Sequence, residues 1–188
     1  MKKILWTLLL GTSIFLNAET NTTMLYNGGV NALFVDMKTF YVSIDDEVTG
    51  GCLKNPAKVK LEMEKALIKK GFKIVDNNKN PFIPEIRISA LGFKLNAMCV
   101  VDLSSTLSFY LIAEVPHAND VPSGNRAYIR YNYDMGRSIF NYRRHQIQGQ
   151  LNKVARNHAD KIYMKISRAK DKIFVDFPSM KSRIENNK

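Results

Sequence analysis

The chain has 188 residues, a formal net charge of +11 and 45% apolar residues; this suits one domain with a core and excludes a multi-span membrane protein or a disordered chain. The positive excess is concentrated: residues 19–140 hold 14 basic and 13 acidic side chains, whereas residues 141–188 hold 12 and 4. No nucleic-acid recognition motif accompanies it, which leaves anionic lipid, lipopolysaccharide or an acidic envelope protein as the expected partner class.

The first eighteen residues, MKKILWTLLLGTSIFLNA, carry a basic start, an apolar stretch and a small residue before Glu19. That is the layout of a secretory signal peptide, with a retained N-terminal anchor as the rival reading. The expected address is periplasmic, outer-membrane associated or secreted. Residues 19–31, with Asn27-Gly28-Gly29, read as a flexible lead-in to a single α+β domain over 32–177. Residues 178–188 read as a disordered basic tail.

Within the domain, ALFVDMKTFYVSI (32–44) is rich in β-branched and aromatic residues, and Leu33, Val35 and Met37 alternate with Phe34, Asp36 and Lys38. It reads as a strand ended by the turn residues of DDEVTGG. A helix follows, capped by Asn55, with Pro56 at its first position and Gly71 at its end. Val59, Met63, Ala66 and Leu67 mark its apolar face. Phe72-Lys73-Ile74-Val75 begins a strand, and DNNKNPFIP is a loop.

From 85 to 96 the alternation changes phase. Ile86, Ile88 and Ala90 share one face, but Leu91, Phe93 and Leu95 continue the apolar set on odd numbers. An extra residue near Ala90, as a bulge or bend, would reconcile the two sets. Residues 98–115 keep one phase through Leu103, Ser105, Leu107, Phe109 and Leu111. After the loop 116–125, RAYIRYNYD (126–134) reads as a strand with Ala127, Ile129, Tyr131 and Tyr133 inward. Ile147, Leu151, Val154, Ala155, His158, Ile162 and Ile166 then mark a long amphipathic helix from about 142 to 170. The sum is an antiparallel sheet of about four strands with two helices on one face, in β-α-β-β-β-α order.

The two cysteines, Cys52 and Cys99, form the expected disulfide of an exported protein. Closing so long a loop adds about 4 kcal/mol in the chain-entropy model. Such a bridge pins the N-terminus of the first helix to the sheet. A nucleophilic Cys52 after Gly50-Gly51 is the minor alternative, without a companion His or Asp motif. His117, His145 and His158 show no metal spacing, and His158 sits on an apolar stripe, as a core histidine does. Asp45, Asp46 and Glu47 lack the spaced oxygen ligands of a calcium loop. No phosphate loop, nucleophile elbow or HExxH helix is present. The expectation is a protein that is not an enzyme, with no catalytic residues, metal or cofactor.

The segments KLEMEKALIKKGFKIVDNN and PEIRISALGFKLN, followed by a long strand, a Tyr-rich strand and a terminal helix, resemble in layout small outer-membrane-associated proteins. These are the lipopolysaccharide-assembly lipoprotein that plugs the export barrel, the YajG-type lipoproteins and the TraT-type complement-resistance and surface-exclusion proteins. Those families carry a lipidated cysteine where this chain has Ala18-Glu19, so attachment by lipid is not expected here, and the apolar Gly/Ala-rich stretch of TraT is also missing. The resemblance implies a binding or assembly factor at the outer membrane, with lipopolysaccharide export as one process it could serve. Arg143, Arg144, Lys153, Arg156, Lys161, Lys165 and Arg168 are the candidate contacts to an anionic partner. The alternative is an exported interaction protein of a secretion, conjugation or surface-exclusion system, working through Tyr128, Phe140 and Tyr142.

Overall fold

The computed structural model describes residues 34, 35, 37–76, 79–114, 126–179 and 181. The predicted signal, most of the lead-in, the loop 116–125 with His117, and most of the tail lie outside them. The described residues fall into two compact units: Met37–Lys165, and the residues before Met37 together with Ile166 onward. In the second unit Phe34, Val35, Ile166, Ala169 and Ile173 are buried.

The element order is β1 (Thr39–Val48), α1 (Pro56–Lys69), β2 (Lys73–Val75), β3 (Glu85–Leu95), β4 (Met98–Glu114), β5 (Arg126–Arg143) and α2 (Arg144–Asp176). The fold is α+β, as expected, but the sheet has five strands and is mixed, in the order β2-β1-β3-β4-β5. β1 runs parallel to both β2 and β3, meeting Val75 and Glu85 at Tyr41. Only β3, β4 and β5 form an antiparallel meander. The cause is α1: a helical crossover between β1 and β2 returns the chain in the direction it left, so the pair is parallel.

α1 forms for the reasons its sequence advertises. Asn55 Oδ1 accepts from Lys58 N at 2.9 Å, Pro56 occupies the first turn, and Gly71 follows the end with φ +89°. Val59, Met63 and Leu67 are fully buried along one stripe. Phe72, just after the helix, meets Phe40 of β1 edge-on at 5.1 Å between ring centroids.

One face of the sheet is the core. Phe40 and Val42 of β1, Ile86, Ile88 and Ala90 of β3, and Val101, Leu103 and Leu107 of β4 are all buried on it. α1 and the part of α2 before Ile166 cover that face side by side, joined by the ion pairs Arg156–Glu62 and Lys70–Asp160. On the other, open face most side chains are half-buried or exposed, with Ser108 buried.

Three strand readings need correction. The first strand runs over Thr39–Val48 and not 32–44, with residues 34 and 35 in a helical turn. Asp45 lies on the open face, and Asp46, in the core phase but near the end of the strand, is exposed and accepts from Val48 N. No bulge occurs near Ala90: β3 pairs with β4 in unbroken register from Glu85↔Ser108 to Leu95↔Met98. Leu91, Phe93 and Leu95 are apolar residues on the open face, not members of the core set. The bulge is on β5, where Ser105 pairs with Gly136 but Thr106 pairs with Asp134 and leaves Met135 extra. That extra residue flips the phase of β5, so Gly136, Ser138, Phe140 and Tyr142 join the core face opposite Ser105, Leu103, Val101 and Cys99. β5 therefore continues past Asp134 to Arg143, and Ile129, expected inward, is exposed while Tyr131 and Tyr133 are half-buried.

Candidate interaction surface

The corner where α1, β4 and α2 begin is stapled. Cys52 and Cys99 are bonded, with Cα atoms 5.7 Å apart and both side chains fully buried, a separation within the usual disulfide range. No described cysteine is free, so a nucleophilic Cys52 is ruled out by the bridge. The approach to Cys52 threads a narrow passage. Gly50 and Gly51 have φ of +69° and +67°, and an added Cβ would sit 2.6 Å from Lys94 Cβ and 2.5 Å from Arg144 Nη2 respectively. Only glycine takes that backbone with so little clearance. Arg144 Nε donates to Gly51 O at 3.1 Å, and Gln148 exchanges hydrogen bonds with the backbone of Asn55, at 3.0 and 3.2 Å. The bridge, the glycine pair and the first turns of α2 therefore hold one another.

The seven candidate cations do not form one stripe. Arg144 is committed to Gly51 O. Arg156 donates to Glu62 of α1, and the bond holds the Glu62 carboxyl below its ordinary pKa. Lys165 Nζ donates to Asp134 O at 2.8 Å and lies 4.8 Å from the Tyr133 ring centroid. Those three contacts join elements of the fold. Arg143, Lys153, Lys161 and Arg168 are exposed. Of the alternative aromatic set, Tyr128 is exposed and stands 5.4 Å from Phe82, whereas Phe140 and Tyr142 are half-buried beside each other.

Under α2 lies a buried polar trio. His158 has no exposed surface; its Nδ1 is 2.8 Å from Ser105 Oγ and its Nε2 is 3.2 Å from Ser138 Oγ. A neutral imidazole donates with one nitrogen and accepts with the other, so both hydroxyls are used. Gly136 makes the room, since a Cβ there would come 3.2 Å from His158 Cδ2. Burial first and the nearby Lys161 second, partly opposed by Asp134, bring the His158 pKa down to about 4. The expectation of a core histidine holds. Sequence reasoning missed its two serine partners, because Ser138 lies in the stretch after Asp134 that was not read as strand.

The open face of the sheet carries a second feature that spacing along the chain does not reveal. Asp45, Glu47, Ser89, Asp102, Ser104 and Asp134, from four strands, line an open depression of about 430 Å³. Arg137 spans its edge and grips Asp102, with Nε 2.8 Å from Oδ2, and this pairing raises the Arg137 pKa. Beside it runs a charge ladder in which Glu85 accepts from Ser43 at 2.6 Å and from Arg87 and Arg130 at 3.4 and 3.3 Å. Arg87 shares β3 with Glu85 and Arg130 reaches it from β5 across β4; such partly exposed pairs add little to stability. Among the described residues no group of three His, Cys, Asp or Glu side chains has metal-binding geometry. No described helix is long and apolar enough to cross a membrane.

No protein-family model matches the chain, and no curated protein matches it at a significant level.

Proposed function

We propose that this chain is a non-catalytic exported protein that acts as a binding or assembly factor of the cell envelope, at the outer membrane. The Cys52–Cys99 bridge carries the reading: a long-range disulfide buried in the fold belongs to an oxidising compartment. It agrees with the signal-like leader. The layout shared with small outer-membrane-associated proteins supports the outer membrane as the address and lipopolysaccharide export as one process served. The bond at Cys52 and the enclosure of His158 take those two side chains out of play. What they leave is a braced sheet with one open face, the architecture of a scaffold that binds.

Fractionation of cells with thiol trapping tests this. The expected result is the oxidised chain in the envelope or periplasmic fraction, co-purifying with an envelope component. Recovery from the cytoplasm with both thiols free would overturn it. A second reading, an exported interaction protein of a secretion, conjugation or surface-exclusion system, is favoured by the exposed Phe82–Tyr128 pair. Release of the protein into the medium separates it from the first.

A further inference from the structure

The open face is not uniformly polar along its length. Register places three cross-strand rows at the end where β3 turns into β4. Leu95, Met98 and Arg143 form the last row, Phe93, Val100 and Asn141 the next, and Leu91, Asp102 and Ile139 the third. Leu91, Phe93, Leu95 and Ile139 are 58, 52, 55 and 66% exposed. Four large apolar side chains more than half in water, three on β3 and one on β5 with β4 between them, are far beyond the isolated exposed residue that any surface carries. The turn Asn96-Ala97 is exposed as well. β1 pairs no further than Val48↔Gly92; past it the Gly50 turn runs beside Lys94, and β5 flanks β4 as far as Met98.

The charges around this tip are all of one sign. Arg143 stands in the last row, Lys94 lies between Phe93 and Leu95, and Arg144 is held at the same corner by Gly51 O. All three are exposed. The last two rows contain no carboxylate. Acid begins in the third row, with Glu47 opposite Leu91 and Asp102 already paired to Arg137. Four residues of strand separate Leu95 from Leu91, about 13 Å. An apolar surface seated in a membrane interface sinks roughly 5–10 Å, so the carboxylates would stay in water while the cations lie at headgroup level.

We propose that the β3–β4 tip, with Phe93, Leu95 and Met98 as its apolar plug and Lys94 and Arg143 as its cationic collar, docks on an anionic lipid surface. Charge complementarity selects the lipid: an apolar sheet end with cations and no carboxylate in its last two rows matches a surface of acyl chains beneath anionic headgroups. Cys99 lies on β4 between the last two rows and is bonded to Cys52, so the tip enters the interface already ordered. The proposal rests on the reading of an exported envelope protein and names that protein's partner.

The test uses the full chain. With both native cysteines bonded, Ala97→Cys supplies a single thiol for an environment-sensitive fluorophore, and Lys65→Cys on α1 supplies a control position. On vesicles containing phosphatidylglycerol at low salt, the Ala97 probe should shift to the blue and brighten, and the Lys65 probe should not. Vesicles of phosphatidylcholine alone should leave the Ala97 probe unchanged, and added salt should reverse the effect. Phe93→Ser with Leu95→Ser should lower partitioning at least about tenfold, and Arg143→Ser about fivefold. The apolar leader is common to every variant, and the Ala97 probe reports the tip. An unchanged Ala97 probe on anionic vesicles, an equal response on neutral ones, or wild-type partitioning by the double variant would overturn the proposal. Fractionation reads the envelope assignment separately, so either claim can fail alone.

Discussion

The two faces of the sheet are built from the same strands and obey different rules. On the helix-covered face, Val42, Ile88, Leu103 and Ile86 have no exposed surface, and the polar trio around His158 has all its hydrogen bonds within it. On the open face, apolar side chains collect at one end and carboxylates gather in the middle. Burial explains the first pattern by itself, because each apolar side chain removed from water contributes about 1.5–3 kcal/mol. It does not explain the second, since Leu91, Phe93, Leu95 and Ile139 gain little from folding. Residues that do not hold the fold together and are still large and apolar point to a surface used for contact.

The comparison makes a graded set of predictions. The largest effect belongs to the staple that ties the tip to the covered face. Cys52→Ser with Cys99→Ser should lower unfolding free energy by about 4 kcal/mol, read by denaturant titration. Leu103→Ala, in the centre of the covered face, should cost about 3.5 kcal/mol through lost burial and a residual cavity.

Protonation of His158 comes next. Its folded pKa of about 4 lies below the ordinary 6.5, so the unfolded chain binds the proton more tightly. The stability it contributes is fully present above pH 6.5, falls as pH drops through the window, and is gone below pH 4. The total is about 3 kcal/mol, from 1.36 kcal/mol per unit of pKa difference. His158→Asn should flatten that part of the pH–stability curve whatever it does to absolute stability. At the small end stand the open-face residues: Phe93→Ser should change stability by no more than about 0.5 kcal/mol, and Arg137→Ala should leave the denaturant midpoint close to that of wild type.

The covered face was also the more legible in the sequence. α1 declares itself through Asn55, Pro56 and Gly71, all local signals, and β4 through one unbroken phase. The cysteine pairing followed from compartment and number. The open face was misread at β3, where the apolar run Leu91, Phe93, Leu95 looks like a slipped core set, because periodicity assumes that apolar means buried. The β5 bulge was invisible for a related reason: Asp134-Met135-Gly136 reads as a chain break until the partner strand shows that Ser105 and Thr106 straddle one extra residue. The carboxylate depression draws Asp45, Asp102 and Asp134 from three strands far apart in the chain, and no local spacing brings them together. Arg144, Arg156 and Lys165 were counted as partner contacts, but Gly51 O, Glu62 and Asp134 O, each remote in sequence, are what they bind.

The sharpest test sets stability and lipid binding side by side in one variant, Phe93→Ser with Leu95→Ser. Unfolding by denaturant and partitioning onto phosphatidylglycerol vesicles would be measured on the same preparation. If the tip is a contact surface and not a part of the core, the midpoint stays within about 0.5 kcal/mol of wild type while partitioning falls at least about tenfold. A loss of stability of the Leu103→Ala size with partitioning intact would contradict the account.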